Sequence, residues 1–360
     1  MKIPPPLQQV DRTYVRVDGH KLSYYAGCDY FRLASHPKVL QAAEVGLKKF
    51  GLNVAASRLT TGNHELFGKL EAALANFFGS EAAVLVSNGY VTNLIAAQAM
   101  AGDYTHVLVD EKAHPSLKDA AQILGGKQIL FPHCNLDAFR KAVGKLPSSA
   151  KPIVLTDGMF SHDGTIAPLR GYLENLPPNG LLMLDDAHGA GTLGKTGKGT
   201  FELESLPRER VVQSITLSKA FGCYGGAVLC SAELRERIIS KSRMFVGNTP
   251  LPLPLANAAI TAVAVLKKDG TLRRRLNANV AYIKEALRKK GRVISDSPSP
   301  IISIVPKTAV EAEAIRVRCR KNKVFPSFIK YPGGPENGFF RFVICSEHSR
   351  AQLDALAGCL

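Results

Sequence analysis

Long uncharged apolar runs are missing from this 360-residue chain. Spanning a bilayer takes about 20 such residues. The nearest approach, "LPLPLANAAITAVAVL", is interrupted by prolines, so no membrane association is expected. The opening "MKIPPPLQQVDRTYV" lacks the apolar centre of a signal peptide. CxxC pairs are absent too, the seven cysteines (Cys28, Cys134, Cys223, Cys230, Cys319, Cys345 and Cys359) being widely scattered. An odd count at such spacing argues against a disulfide framework or a metal site, and for reduced thiols in a cytoplasmic compartment. No internal repeat of about 20–50 residues appears.

Acidic residues are in short supply, 30 against 46 Lys/Arg, for a net charge of +16. Lys267 to Lys330 alone hold 17 basic and 5 acidic residues. Solvated helix faces explain such a stretch, and so does attraction for a polyanion such as nucleic acid or a phosphorylated cofactor. In "LRRRLNANVAYIKEALRKKG" the spacing of Leu276, Val280, Ile283 and Leu287 gives a helix with one packed and one wet face. Tyr282 is the one aromatic in this stretch, too few to interleave the charges as a single-strand binder requires, so no specific nucleic-acid partner is expected.

What is plentiful is apolar residues, 46% of the chain, in short runs. "AAVLVS" (82–87), "HVLVD" (106–110), "KQILFP" (127–132), "PIVLTD" (152–157), "GLLMLDD" (180–186), "VVQSITLS" (211–218) and "GAVLCS" (226–231) read as seven strands. Their near-continuous apolarity is that of a mostly parallel sheet covered by helices on both faces. Amphipathic segments such as "LFGKLEAALANFFG", "SLKDAAQIL" and "NLDAFRKAV" supply helices between them. The reading is α/β: an N-terminal segment 1–49, a large domain 50–249, and a small C-terminal α+β domain 250–360. The last would have helices near 254–268, 272–290, 308–322 and 349–357 and strands at "IISIVP" and "FFRFVIC". In such sheets ligands sit beyond the carboxyl ends of the strands. There the sequence places Ser87-Asn88-Gly89, Asp110, Asp157, Asp185-Asp186 and Ser218-Lys219.

Gly189–Thr196, "GAGTLGKT", satisfies both GxGxxG and the phosphate-loop pattern. Those motifs need a following helix, and Gly197, Gly199 and Pro207 oppose one. Asp185, Asp186 and His188 would also repel or crowd a pyrophosphate. A nucleotide-hydrolysing loop is therefore the lesser reading.

A different ligand unites the strand ends. Lys219, beside apolar and glycine-rich sequence, is placed to act as an amine nucleophile. Asp185, closing a buried strand, requires a cationic partner such as a protonated ring nitrogen. Asp186 fits a structural salt bridge. His188 is positioned to meet a phenolic oxygen and His114 to lie on a ring face. Lysine, acid and phosphate donors together describe pyridoxal 5′-phosphate.

These residues sit in motifs that resemble the α-oxoamine synthases, a family of fold-type I pyridoxal-phosphate enzymes. "GHKLSYYAGCDYFRLASHP", "SRLTTGNHELFGKLEAALANFFG", "SNGYVTN", "VDEKAHPSL", "TDGMFSHDGTIAPL", "LDDAHGAGTLGKTGKG" and "TLSKAFGCYGG" follow in the family's order. The resemblance implies that Lys219 binds the cofactor's aldehyde, Asp185 its ring nitrogen and His188 its phenolic oxygen, with Ser161 close by, while His114 stacks on the ring. It implies a phosphate cradle from Gly89, Tyr90 and Thr216, a Thr249 lent by a partner subunit in a homodimer, and an Arg341 that holds the substrate carboxylate. It implies condensation of glycine, alanine or serine with an acyl-CoA thioester, releasing CoA and carbon dioxide, as in the 8-amino-7-oxononanoate synthase branch. Glycine C-acetyltransferase or aminotransferase chemistry is the alternative. The chain departs from the family pattern at Cys28 (asparagine), Arg32 (glycine), Phe67 (a frequent histidine) and "IKYPGGPENGFFR".

Overall fold

The computed structural model describes residues 6–330 and 334–360; part of "IKYPGGPENGFFR" thus lies outside the described residues. The chain forms two compact units. The larger comprises His36–Phe160 and Ile166–Asp269, the smaller Met1–Ser35, Ser161–Thr165 and Gly270–Leu360.

In the larger unit the seven expected strands are all present, as β1 (Ala82–Val86), β2 (His106–Asp110), β3 (Lys127–Phe131), β4 (Pro152–Asp157), β5 (Leu181–Asp185), β6 (Val211–Thr216) and β7 (Gly226–Cys230). They form one sheet in the order β1-β7-β6-β5-β4-β2-β3. β7 is antiparallel to β1 and β6, and the pairs from β6 to β3 are parallel. Alternate residues feed two cores. Val107, Val109, Ile153, Leu155 and Met183 enter one, and Leu108, Val154, Leu182 and Leu184 the other. Both faces are buried, which is why the strands read as unbroken apolar runs.

The helices of this unit are α1 (Pro37–Phe50), α2 (Glu65–Phe78), α3 (Gly89–Ala99), α4 (Pro115–Leu124), α5 (Leu136–Val143), α6 (Leu169–Asn175), α7 (Ala232–Lys241) and α8 (Leu253–Lys268), besides shorter turns. α1 and α8 fall on the far side of the boundaries expected at residues 49 and 250. They pack closely on each other: Asn257 Nδ2 donates to the Ala42 carbonyl at 2.7 Å, and a Cβ on Gly46 would lie 3.0 Å from Pro254 Cα. That contact draws both helices into the larger unit.

The smaller unit combines an N-terminal meander (Gln8–Asp11, Tyr14–Val17, His20–Ser23) with a second three-stranded sheet. There Phe339–Val343 runs between Ile301–Ile304 and Phe328–Ile329. Helices α9 (Gly270–Lys289), α10 (Ala309–Lys321) and α11 (Arg350–Cys359) complete it. Part of the basic stretch is structural: Lys284 is buried and its Nζ donates to the Ser297 carbonyl at 2.5 Å. Arg32 adopts φ 53°, a left-handed conformation that suits the glycine the family resemblance implies at this position. Its guanidinium is buried against Tyr24 O (3.1 Å) and Cys345 Sγ (3.3 Å). All seven cysteines are free. No helix among the described residues is long and apolar enough to cross a membrane.

Candidate active site

The carboxyl ends of the parallel strands converge on Lys219. β6 ends at Thr216, and the chain then turns through Leu217–Gly225. The turn is pinned by Leu217 N–H to Gly225 O (2.9 Å) and Cys223 N–H to Leu217 O (2.8 Å). Gly225 has φ 106°, open only to glycine at low cost. The same φ returns the chain as β7. Lys219 is half-buried in this turn.

Asp185 ends β5 and is buried. Its Oδ1 accepts the Ala187 N–H at 3.0 Å and its Oδ2 accepts Asn93 Nδ2 at 2.7 Å. His188 follows in the same loop, also buried. His114 caps the N-terminus of α4: its Nδ1 accepts the Ser116 N–H at 3.2 Å and lies 2.7 Å from Ser116 Oγ. That geometry assigns the ring proton to Nε2. Burial lowers the His114 imidazole from its ordinary value; Asp185 opposes this and the Lys219 charge adds to it. The histidine is thus held neutral in the field of both groups, the state that suits stacking on an aromatic ring.

Gly89 opens α3 against the end of β6. A Cβ there would meet Thr216 Cβ at 2.9 Å and Oγ1 at 3.0 Å, so the close approach requires glycine. Asn88 Oδ1 caps the Tyr90 and Val91 N–H groups at 3.0 and 3.2 Å. The hydroxyls of Thr216 and Ser218 lie 2.7 Å apart beside this helix start. A helix N-terminus with two hydroxyls is an arrangement that receives phosphate. The Tyr90 ring stands edge-on to His114 at 5.8 Å. Asn248 Nδ2 donates to Ser87 Oγ at 2.8 Å, and the neighbouring Thr249 is exposed.

The glycine-rich loop after Asp185 is closed on itself. Glu202 accepts the N–H groups of Thr196 (2.9 Å) and Lys198 (3.1 Å), and the helix that follows has four residues, Thr200–Leu203. A phosphate loop needs a longer helix behind it. Asp186 departs from the expected salt bridge. Its carboxyl accepts Thr200 Oγ1 (2.7 Å), Thr200 N–H (3.0 Å) and Gln213 Nε2 (2.8 Å). Burial raises it to about 7, against the lowering effect of those bonds.

Arg341 and Ser161 come together in the smaller unit. The Arg341 guanidinium donates to Ser161 O (3.0 Å), Ala26 O (3.3 Å) and Cys28 Sγ (3.3 Å). No carboxylate is among these three acceptors. Phe67, in place of the family's frequent histidine, is fully buried with the Arg58 guanidinium 5.3 Å above its ring.

Sequence reasoning overlooked Asn93, Ser116 and Gln213. Each is a buried polar residue, and Asn93 and Gln213 lie in the mostly apolar elements "GYVTNLIAAQA" and "VVQSIT". That is the signal which would have found them, since a buried amide requires partners.

Comparison with known proteins places the chain in a family. The family model for aminotransferase class I and II matches residues 29–360. The 8-amino-7-oxononanoate synthase of Thioalkalivibrio sulfidiphilus is 35% identical over 347 residues, covering 96% of this chain and 88% of that protein. The enzyme of the same description from Stutzerimonas stutzeri is 34% identical, covering 99% and 91%. Among solved structures, Sphingomonas wittichii serine palmitoyltransferase superposes with TM-score 0.92 at 26% identity, over 98% of this chain and 89% of that one. The 8-amino-7-oxononanoate synthase of Francisella tularensis gives TM-score 0.80 at 25% identity, over 93% and 96%. With strand-end lysine, acid and histidine in place and the match running nearly end to end, the chain belongs to the aminotransferase class I and II family.

Proposed function

We propose that this protein is a pyridoxal-phosphate-dependent α-oxoamine synthase of the 8-amino-7-oxononanoate synthase kind. It would join a small amino acid to the acyl group of a CoA thioester, releasing CoA and carbon dioxide and leaving an α-amino ketone. The observation that carries the reading is the meeting of Lys219, Asp185 and His114 at the carboxyl ends of one sheet, in a chain whose curated relatives bear that description.

The residues present fit the cofactor. Gly89 presses the start of α3 onto Thr216, leaving a backbone cradle that a Cβ would fill. Bound there, the cofactor supplies an amine-reactive aldehyde on a ring that withdraws electrons from the substrate's α-carbon. Lys219 Nζ would hold that aldehyde and would serve as the base for the substrate's α-proton. Asp185 would keep the ring nitrogen protonated. Neutral His114 would pack on the ring face and exclude water, and His188 would meet the phenolic oxygen. Arg341 orients the amino acid through its carboxylate, for which a guanidinium fork is better suited than an ammonium. Pairing of two copies, with Thr249 offered to the neighbour's phosphate, completes the reading. The exposure of Thr249 beside the Ser87–Asn248 contact supports it. The seven free thiols support a reducing, cytoplasmic setting.

The test is the visible spectrum of purified protein before and after borohydride, beside Lys219→Ala. A yellow band abolished by borohydride and absent in the variant is expected. Glycine, alanine and serine are then screened against acyl-CoAs for thiol release. Turnover dependent on a keto acid and indifferent to thioester would replace the condensation with transamination. A protein that stays colourless with added cofactor would overturn the reading altogether.

A further inference from the structure

Asp157 and Asp185 end neighbouring parallel strands and are in register with each other. Asp185 receives two N–H donors, from Ala187 at 3.0 Å and Asn93 at 2.7 Å. Asp157 receives the backbone N–H of His114 at 2.8 Å. Burial first, and then the adjacent Asp185, hold the Asp157 carboxyl well above the usual carboxylate range, opposed by the His114 N–H and by Lys219. The other charged or titratable groups facing the pair are Asp110 at the end of β2, His114 at the start of α4, and Asp186 beside Asp185. Two ionised carboxylates side by side away from water repel strongly, and such pairs keep one proton between them.

Asn93 touches one member of this pair. Its Nδ2 carries two hydrogens, and both are used: one on Asp185 Oδ2, the other on Ser116 Oγ at 2.9 Å. With its oxygen occupied as acceptor, Ser116 turns its own hydrogen to His114 Nδ1. Rotating the amide would set its oxygen against the Asp185 carboxyl oxygen, whereas the amide as placed donates to Asp185 Oδ2, a contact that is strongest with an ionised carboxylate. That orientation leaves Asn93 Oδ1 buried without a hydrogen-bond partner. An orphaned acceptor is destabilising and uncommon. The two hydrogens are thus the part of the side chain that makes its contacts.

We propose that Asn93 is a positioning residue that keeps the negative charge on Asp185 and the proton on Asp157, so that the acid facing the cofactor nitrogen stands ionised beforehand. The inference rests on the cofactor reading above and adds a neutral partner carboxyl to it.

The experiment compares wild type, Asn93→Leu, Asp157→Asn and the double variant, as full-length protein, by two readouts. Infrared spectroscopy of the unliganded protein at neutral pH should show a protonated-carboxyl band that Asp157→Asn removes. In Asn93→Leu the proton divides between the two carboxyls and that band becomes two. Titration with pyridoxal phosphate should give an unchanged dissociation constant for Asp157→Asn, because it replaces a carboxyl that is already neutral. Asn93→Leu should weaken binding about tenfold, the size of one hydrogen bond to a charged acceptor. The double variant should recover it, since Asp185 is then the remaining member of the pair able to ionise. Weakening that persists in the double variant would make Asn93 a packing residue and overturn the proposal. Loss of binding in Asp157→Asn alone, or no Asp157 band in wild type, would overturn it equally. If wild type binds no cofactor, the functional reading falls, while the infrared bands still decide the inference. Should Asn93→Leu not fold, Asn93→Ser removes the same bridge and is measured in its place.

Discussion

Replacing Asp186 separates the loop's architecture from its chemistry. This carboxyl, fully buried beside Asp185, gathers the Thr200 N–H, the Thr200 hydroxyl and the Gln213 amide. Asp186→Ala leaves those donors without an acceptor. At about 1–3 kcal/mol for each buried unsatisfied group, partly relieved by rearrangement, the loss should be about 3–5 kcal/mol. Asp186→Asn is gentler, because its oxygen can take the Thr200 and Gln213 N–H groups while its amide donates to a reoriented Thr200 hydroxyl. The two proteins should then differ in pH dependence. With the folded carboxyl raised to about 7 against an unfolded value of 3.8, this group's contribution is fully present below about pH 4. It is lost as pH rises towards 7, by up to about 4 kcal/mol. Urea denaturation of wild type and Asp186→Asn between pH 4 and 8 measures the difference directly. Wild type should gain on the variant as pH falls. A stability difference flat across that window would refute the claim that burial outweighs the three hydrogen bonds.

Three further outcomes are expected. Gly89→Val should weaken pyridoxal phosphate binding about tenfold, because its Cβ enters the 2.9 Å space against Thr216; cofactor titration of the purified variant reads it. His348 is buried and held neutral, lowered to about 3. Its contribution is present above pH 6.5 and lost as pH falls towards 3, so His348→Gln should flatten the acid limb of a thermal-melt series. Arg341→Lys, which replaces a fork by a single ammonium, should raise KM for the amino acid about tenfold while leaving the cofactor's absorption unchanged; steady-state kinetics and a spectrum check both halves.

The strands were legible because burial on both faces removes polar alternation, and the residues at their ends were legible because polar groups there interrupt long apolar stretches. Helix partners were not. The amphipathic stripe of α1 says that it packs, whereas the Gly46–Pro254 approach that joins it to α8 depends on chain segments far apart in sequence. Asn93 was hidden for a related reason: a motif locates it, yet its meaning lies in Asp185 and Ser116, which arrive from other strands' ends. Arg32 shows the limit in another form. A side chain gives no notice of its backbone angle, and the departure from glycine became intelligible only through φ 53°.

β7 is the antiparallel strand of the large sheet, and among the described residues β1 pairs with it alone, Val86 opposite Gly226. During synthesis β1 therefore emerges early and waits with an unpaired edge until the chain through Gly226 has followed. Closing so long a loop is slow, and exposed edges invite association with other chains in the meantime. The turn carrying Lys219 is delivered just before the strand that ends this wait. Nascent chains cut before residue 226 should then be held by chaperones or aggregate, and the capacity to bind cofactor should appear abruptly, with the last strand.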